Sequence, residues 1–381
     1  MLTAIKVRLY PTKEQEILMH KSAGIARFTY NWGLSYLDKY YKENKKYLSN
    51  GELRKKFTQI RKGNEYPWLK EVSSEIPQQA LKDLKTAFDK FFKHETKRPN
   101  FKKKGKCATS FYHLNNKFKV EENFITLEKI GKVKMKDENR LPKGNYKKEN
   151  IKVYNPRIKY NGKYWYISLA LDKEDESYEL SDVSVGIDLG ISNLAVVSNI
   201  EKPFKNINKS KRVKQLNKKL KRMQRKVSKK YLMNKKGTKF TKSKNIIKLE
   251  KKIKLIHKKI ADISLNHIHQ TTNAVVKTKP YRVVMEDLNV KGMLKNKHLS
   301  KAISEQSFNK FTTIMNDKCE KYGIEFIKAD RFYPSSKMCS CCKKIKKDLK
   351  LKDRIYKCEC GLVEDRDKNA SINLANYQLV V

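Results

Sequence analysis

Four cysteines near the end of the chain form two close pairs, and their spacing constrains the fold more than any other feature. The pairs are Cys339-x-x-Cys342 and Cys358-x-Cys360, with fifteen residues between them and Gly361 directly after the second. Two tight turns that each present two thiolates are typical of a structural zinc site, in which four thiolates leave no open coordination position. The alternative, four reduced cysteines that are merely buried, does not explain this spacing. The sequence therefore predicts one structural Zn²⁺.

A fifth cysteine, Cys341, lies inside the first pair. We assign it no ligand role, because two cysteines separated by two residues bind a metal better than adjacent cysteines do.

The N-terminal residues contain no apolar stretch of the signal-peptide type, so we expect no secretion. In a chain without an export signal, clustered cysteines favour a metal site over a disulfide framework.

An excess of basic residues predicts a polyanionic partner. The 381 residues include 88 Lys and Arg against 40 Asp and Glu, a formal net charge of +48. Like charges repel in a compact chain, and nucleic acid is the polyanion that most readily offsets them. Because 39% of the residues are hydrophobic, the chain can form folded cores and is not a disordered basic tail. No apolar run is long enough to span a membrane, so we expect no membrane partner.

The first half of the sequence predicts helices followed by short strands. Leu2–Leu9 is typical of a strand, and Thr12-x-x-Gln15 has the form of a helix capping box. Helical segments continue to about residue 92, with turn signals that include Asn50-Gly51. The short alternating segments of residues 110–171 predict antiparallel strands in a small barrel or sandwich. An acidic stretch, 172–180, marks the expected domain boundary.

In the second half, strands are expected at 183–200, 281–288 and 323–330, with a helix around 305–321. The very basic stretch 205–260 carries two apolar seams with spacings of three and four residues. The seams are Val213, Leu216, Leu220, Met223, Val227 and Ile246, Leu249, Ile253, Ile256, Ile260, Ile263. They predict an antiparallel helical hairpin. In most proteins a lysine-covered helix pair is a solvated surface, but the large excess of one sign here favours contact with phosphates.

Three acids share one setting in this basic chain. Asp188 and Glu286 each end an apolar strand, and Asp367 begins the last helix. Each acid alone is better explained as a turn or capping residue. Together, acids from two strands and a helix can hold two Mg²⁺ ions, which bind the attacking water and the leaving 3′ oxygen of a phosphodiester. This arrangement is typical of an RNase H-like fold.

The sequence also resembles the TnpB (OrfB-type) proteins of bacterial insertion sequences, relatives of the type V CRISPR nucleases. The resemblance runs nearly end to end and rests most strongly on four segments in this order: GIDLGISNLAVVS, MEDLNV, FYPSSKMCSCC and CECGLVEDRDKNASINLAN. It implies an α+β multidomain protein with a helical recognition domain (11–107) and a β-barrel wedge domain (1–10 and 108–180). An RNase H-like, RuvC nuclease domain (181–334 and 362–381) would follow, with the basic hairpin at 208–277 and a zinc-binding target-loading segment at 335–361.

The resemblance implies an RNA-guided DNA endonuclease that cuts beside a short duplex motif. Base pairing with the guide RNA would read the target sequence, while the protein reads shape and the motif. The catalytic acids and Mg²⁺ ligands carry over as Asp188, Glu286 and Asp367. In the DRD segment the family pattern places the acid two residues before Asn369, with Asp365 as the fallback. The expected partners are a transposon-encoded guide RNA and double-stranded target DNA, bound by a monomer in the bacterial cytoplasm and nucleoid.

By the same resemblance, Ser74, Gln78 and Tyr112 would read the short DNA motif. Gln78 matches a base-contacting Gln, and Gln can pair bidentately with adenine. Ser74 stands where relatives have Lys, so the motif read is expected to differ from theirs. The alternative for Gln78 is a plain exposed helix residue.

Two other functions compete with this one. A cleavage-independent repressor would be expected to have Ala, Asn or Ser at one of the three acid positions, and none is replaced. A CRISPR-associated effector of the same fold differs only in its genomic neighbourhood. The older label of transposase fits the genetic context, but no DNA-joining chemistry follows from the residues.

Overall fold

A computed structural model describes residues 2–115, 117–136, 140–172, 178–350 and 353–378. The chain divides into two compact units, unit 1 (residues 1–174) and unit 2 (residues 175–381). Most of the predicted acidic linker at 172–180 lies outside the described residues, because 173–177 are not described.

Unit 1 begins with a strand and continues with three helices. These elements are β1 (Leu2–Tyr10), α1 (Lys13–Asn44), α2 (Asn50–Lys62) and α3 (Glu75–Phe92). The predicted capping box is confirmed: the Gln15 amide donates to Thr12 Oγ1 at 3.2 Å, and the Thr12 amide donates to Gln15 Oε1 at 3.0 Å.

The turn predicted at Asn50-Gly51 is wrong, because helix α2 begins there. Ser49 accepts a hydrogen bond from the Glu52 amide, and Glu52 accepts one from the Ser49 amide, so a second capping box starts the helix. The satisfied backbone donors of this cap outweigh the turn preference of Asn-Gly.

The strands of unit 1 form one antiparallel sheet. They are β2 (Thr109–Tyr112), β3 (Lys119–Glu121), β4 (Phe124–Leu127), β5 (Gly131–Met135), β6 (Gly144–Asn145), β7 (Val153–Tyr160) and β8 (Trp165–Asp172). With β1 they give the hydrogen-bonding order β2-β7-β8-β1-β5-β4-β3-β6. The longest pairing runs from Leu2 opposite Asp172 to Leu9 opposite Trp165. Alternate residues of these strands, such as Val7, Ile167 and Leu169, are buried with α1 and α3 in one core.

The central sheet of unit 2 combines antiparallel and parallel strands. Its members are β9 (Ser181–Leu189), β10 (Asn193–Val197), β11 (Phe204–Lys205), β14 (Pro280–Glu286) and β15 (Glu325–Ala329). Their order is β11-β10-β9-β14-β15, with β9 antiparallel to β10 and parallel to β14, which is parallel to β15.

Two long helices lie between β11 and β14 in the sequence. Helix α4 (Lys211–Met233) and helix α5 (Lys244–Val276) pack against each other, and their tip holds the short strands β12 (Lys235–Lys236) and β13 (Lys239–Phe240). Ser210 and Ser243 cap the two helices through their side chains. All residues of both predicted seams are buried or half-buried.

The remaining elements of unit 2 bring the cysteines and the last helix to the sheet. They are α6 (Val290–Met293), α7 (Ser300–Gln306), α8 (Phe308–Tyr322), β16 (Ile355–Lys357), β17 (Val363–Asp365) and α9 (Arg366–Ala375). Helices α5 and α8 pack together, while α9 packs on β9, β10 and β14.

Candidate active site and metal centre

Asp188 and Glu286 lie side by side at the ends of two neighbouring parallel strands. The pairing of β9 with β14 ends with Ile187 opposite Met285, and each acid is the next residue on its strand. Parallel strands deliver their carboxyl ends to one edge of the sheet, which is where ligand sites form in such sheets. Both predicted strand acids are therefore at one edge of the same sheet.

Helix α9 brings the third acid to this edge because it packs very closely on β9. A Cβ atom at Gly186 would lie 2.0 Å from the Ser371 carbonyl oxygen and 2.4 Å from the Ala375 nitrogen. Only glycine permits this approach. Two residues after Gly186 the strand reaches Asp188, and the first turn of α9 carries Asp367.

The two aspartates of the DRD segment have different surroundings. The Asp365 carboxylate caps helix α9, accepting hydrogen bonds from the amides of Asp367 at 2.9 Å and Lys368 at 3.0 Å. Both carboxylates raise the pKa of Asp188, but Asp367 does so more strongly than Asp365, which makes Asp367 the better-placed third acid. The capping role considered for Asp367 thus falls to Asp365.

The acids repel one another in the absence of a cation. Burial raises the pKa of Asp188 well above its ordinary value, and the Glu286 and Asp367 carboxylates raise it further. The Arg366 guanidinium opposes this shift and lies 3.6 Å from the Asp367 carboxylate. A half-buried carboxylate beside two others is stabilised by protons or by cations.

Lys368 fixes the start of α9 against the strand β10 side of the sheet. Its ammonium group donates to the carbonyl oxygens of Val197, Ser198 and Ile200 at 3.1, 2.8 and 3.1 Å. This anchor is one residue from Asp367. Sequence reasoning missed it, because a lysine in a chain this basic gives no distinguishing signal.

Sequence reasoning also missed Ser335, Asn369 and Asn373 as site residues. The buried Ser335 hydroxyl donates a hydrogen bond to Glu286 Oε1, and both asparagines bind the backbone around Ser335 and Met338. The available signal was the pair of asparagines one helical turn apart, the first of them two residues after Asp367.

The four predicted zinc ligands meet at one point. Among the described residues, Cys339, Cys342, Cys358 and Cys360 are the one group of His, Cys, Asp or Glu whose ligand atoms all lie within 4.8 Å of one another. The three carboxylates are therefore less tightly gathered than the thiols.

The sulfur spacing fits a tetrahedral metal ion. Cys339 Sγ lies 3.6 Å from Cys360 Sγ, and Cys342 Sγ lies 3.5 Å from Cys358 Sγ. A zinc–sulfur bond of about 2.3 Å gives a tetrahedron with edges of about 3.8 Å. The exposed Cys341 is not in the group, as expected.

Two tight turns present the thiols. The Lys343 amide donates to the Cys339 carbonyl in the first turn, and the Gly361 amide donates to the Cys358 carbonyl in the second. Gly361 has φ of +89°, a conformation that favours glycine. Burial raises the pKa of the Cys339 thiol, but hydrogen bonds from the Cys342 and Cys341 amides outweigh it and lower this pKa to about 7.

The three candidate motif-reading residues lie together in unit 1, on α3 and β2. Ser74 precedes α3 and makes no side-chain cap bond, and the Tyr112 hydroxyl donates to Asn115 Oδ1 at 2.6 Å. Burial raises the pKa of Tyr112, and the carboxylate of Glu75, next to Ser74, raises it further. The Gln78 Oε1 atom accepts a hydrogen bond from Arg54, which uses one of the two lone pairs of this oxygen.

Helix α4 presents a continuous basic surface. It contains no acidic residue, and ten of its Lys and Arg residues are exposed while Val213, Leu220 and Val227 are buried. Among the described residues, no helix is both long and apolar enough to cross a bilayer.

Comparison with known proteins places the sequence among transposon-encoded proteins. Three family profiles match: "Helix-turn-helix domain" of OrfB proteins over residues 1–46, "Probable transposase" over 168–297 and "Cas12f1-like, TNB domain" over 308–374. The described part of residues 1–46 contains strand β1 and the long helix α1.

Relatives match over most of the chain. The "Putative RNA-guided DNA endonuclease" of Streptomyces pristinaespiralis is 32% identical over 372 residues, which cover 97% of this chain and 88% of the relative. The "Putative RNA-guided DNA endonuclease InsQ" of Escherichia coli K12 is 29% identical over 77% of this chain and 68% of the relative.

A solved structure shares the fold. The Cas12f1 protein of a Cas12f1–sgRNA–target DNA complex superposes with a TM-score of 0.59, covering 99% of both chains at 13% sequence identity. The chain thus has a Cas12f-like fold of mixed α and β content with a cysteine cluster. Because the Streptomyces relative is 32% identical over nearly the whole length, the chain belongs to the TnpB (OrfB-type) family.

Proposed function

We propose that this chain is an RNA-guided DNA endonuclease that hydrolyses phosphodiester bonds with two Mg²⁺ ions. The carrying observation is the meeting of three carboxylates at one sheet edge, with the pKa of Asp188 raised by burial and by the other two acids. Relatives that cover most of the chain bear the name RNA-guided DNA endonuclease, which supports the reaction class.

The domains are proposed with the boundaries stated above. An RNase H-like, RuvC nuclease over 181–334 and 362–381 is supported by the sheet order β11-β10-β9-β14-β15, in which the central strand β9 bears Asp188. The segment 335–361 is the proposed zinc-binding target-loading segment. A wedge domain at 1–10 and 108–180 is supported by the sheet of unit 1, and a recognition domain at 11–107 by helices α1 to α3.

Each residue of the site has a separate proposed role. Asp188, Glu286 and Asp367 would hold the ions, while Asp365 and Lys368 fix the start of α9 and so the place of Asp367. Bound Mg²⁺ would supply an activated water and stabilise charge on the leaving 3′ oxygen. Arg366, beside Asp367, places a positive charge where a scissile phosphate would enter. The metal-assisted mechanism requires no Ser, Cys or His nucleophile.

The proposed partners are a guide RNA and double-stranded DNA, bound by one copy of the chain. The exposed Lys and Arg of α4 support this, since phosphate contacts from such a surface release counterions and strengthen binding to any sequence. The zinc proposal rests on the fit of the four sulfur atoms to a tetrahedron.

The experiment is reconstitution with the RNA that co-purifies with the chain. That RNA is sequenced, its variable end is replaced by a chosen guide, and the complex is given a plasmid library with random bases beside the target. We expect Mg²⁺-dependent cutting of plasmids with one short motif, and none by Asp188→Asn. Guided binding without cutting by the wild-type complex would instead identify a repressor, and absence of any bound RNA would refute RNA guidance.

A further inference from the structure

Glu286 is held by a residue outside the acid cluster. Ser335 is 2% exposed, and its hydroxyl donates a hydrogen bond to Glu286 Oε1. The two residues are 49 positions apart in the sequence. Because this bond is made to Oε1, it does not occupy Oε2.

Helix α9 fixes the backbone on which Ser335 lies. Asn373 Nδ2 donates to the carbonyl oxygens of Ser335 at 2.8 Å and Met338 at 2.6 Å. One turn earlier, Asn369 Nδ2 donates to the Met338 carbonyl at 2.7 Å, and Asn369 Oδ1 accepts from the Ser340 amide at 2.9 Å. Both asparagine side chains are fully buried, so water does not compete for these bonds.

The same helix carries Asp367, two residues before Asn369. The two asparagines therefore connect the helix that bears one acid to the serine that holds another. Asn369 also binds the backbone of both neighbours of Cys339, Met338 and Ser340.

We propose that Ser335 is a positioning residue for the metal site: its hydroxyl orients the Glu286 carboxylate, and Asn369 and Asn373 fix the Ser335 backbone relative to Asp367. This inference rests on the proposed function. A glutamate side chain has several rotatable bonds, and repulsion from Asp188 and Asp367 would otherwise turn its carboxylate away. Replacement of a residue that hydrogen-bonds to a metal ligand generally lowers metal affinity or activity by about 10–100-fold.

The test is the Mg²⁺ requirement of the guide-loaded Ser335→Ala protein. We expect the Mg²⁺ concentration for half-maximal cleavage to rise about 10–100-fold, with most activity recovered at saturating Mg²⁺. Calorimetric titration with Mn²⁺ should show a similar loss of affinity, which gives a readout independent of cleavage. Ser335→Thr keeps the hydroxyl and should recover part of the affinity.

Ser371→Ala is the matched control. Ser371 is also fully buried, and its hydroxyl donates to the Lys368 carbonyl at 2.7 Å rather than to an acid. We expect its Mg²⁺ requirement to equal that of the wild type. Thermal unfolding and zinc content of each variant identify any that fail to fold, and Ser335→Thr then carries the test.

Glu286→Gln separates the two proposals. If the wild-type complex does not cut, the proposed function fails. If the wild type cuts, Glu286→Gln does not and Ser335→Ala has the wild-type Mg²⁺ requirement, the positioning role alone is wrong. Equal loss by Ser335→Ala at every Mg²⁺ concentration, with unchanged Mn²⁺ affinity, would also overturn it and indicate a purely structural serine.

Discussion

In unit 1 the Asp83 carboxylate receives two hydrogen bonds from the Arg157 guanidinium, both at 2.7 Å, whereas in unit 2 the Asp188 carboxylate faces two other carboxylates. The Asp83 pair joins helix α3 to strand β7 and lies in the partly buried region between them. Bidentate pairing of this kind satisfies both groups within the protein.

The cysteines extend this difference between the units. The four thiols of unit 2 lie together, and Tyr356 packs fully buried beside them. Burial raises the pKa of Tyr356 to about 12, and the thiolates contribute in the same direction. The Asp83 carboxylate of unit 1 is paired by a side chain, while the acids and thiols of unit 2 are the proposed ligands of metal ions. The comparison separates a charge pair that joins elements of the fold from groups that we propose as metal ligands.

Removal of zinc should affect unit 2 far more than unit 1. Structural zinc contributes about 10–16 kcal/mol in zinc-finger peptides, so its loss should unfold the segment between the cysteine pairs. We expect about one zinc per chain in the wild type and none in Cys342→Ser. Hydrogen exchange of the full chain should show lost protection around β16 and β17, with the sheet of unit 1 unchanged.

Cys341→Ser is the control for this experiment, because Cys341 is exposed and adjacent to a ligand without being in the group. It should keep its zinc. If the zinc-free wild-type protein is active and keeps its protection from hydrogen exchange around β16 and β17, the proposed difference between the two units is wrong.

Replacement of the acids should abolish cleavage by unit 2. Asp188→Asn, Glu286→Gln and Asp367→Asn each remove a proposed ligand, so cleavage should fall by more than about 100-fold, the upper range for outer partners of a metal. Guide RNA and target binding should persist. Rates are compared with Glu121→Gln in unit 1, where the acid pairs with Lys132 on the surface and a few-fold effect at most is expected.

Asp365→Asn tests the assignment within the DRD segment. Asparagine caps helices as well as aspartate does, so this variant should cut at nearly the wild-type rate. Inactive Asp365→Asn beside active Asp367→Asn would move the third ligand by two residues.

Much of this arrangement followed from the sequence because its signals are local. Asp188 and Glu286 end apolar runs, which mark buried strands, and the thiols lie in pairs within a few residues. Helices α4 and α5 appear as three- and four-residue spacings of Val, Leu and Ile. Such patterns depend on neighbours along the chain and can be read without the fold.

The site residues that could not be predicted from the sequence depend on partners far away along the chain. Ser335 binds an acid 49 residues away, and Asn373 binds a carbonyl 38 residues away. No spacing rule joins a buried amide to a particular carbonyl. From the residues alone, the choice of capping acid between Asp365 and Asp367 was likewise open, because two acids that flank one residue at a helix start can both cap, and only backbone geometry selects one.

Replacement of an aspartate by the uncharged asparagine should change the stability of the metal-free protein in opposite directions in the two units. Asp83→Asn removes one charge of a paired, partly buried ion pair and should lower the free energy of unfolding by about 1.5–3 kcal/mol. Asp188→Asn removes repulsion at a half-buried carboxylate and should raise it by about 1 kcal/mol. Thermal unfolding without added Mg²⁺ measures both. Added Mg²⁺ should stabilise the wild type and erase the advantage of Asp188→Asn; a loss of stability in both variants would contradict the comparison.

The smallest expected effect concerns a histidine that burial within unit 1 keeps neutral. His113 is buried, its Nδ1 lies 3.0 Å from the Leu114 carbonyl oxygen, and its Nε2 accepts a hydrogen bond from the Glu128 amide at 2.9 Å. Burial lowers the pKa of His113 to about 4, although Leu114 and Glu128 act in the opposite direction and Lys117 assists. Protonation at Nε2 would break the bond to the Glu128 amide.

Because the folded-state pKa of His113 is below the usual 6.5, the unfolded chain binds the proton first as the pH falls. The native state should therefore lose about 1 kcal/mol of stability between pH 7.5 and 5.5, and more toward pH 4. His113→Gln can still accept from the Glu128 amide but does not titrate, so calorimetry should show a smaller fall in Tm over this range than in the wild type. Equal falls in Tm for the two proteins would mean that unit 1 does not maintain a neutral His113, and the contrast with the acids of unit 2 would then lose one of its supports.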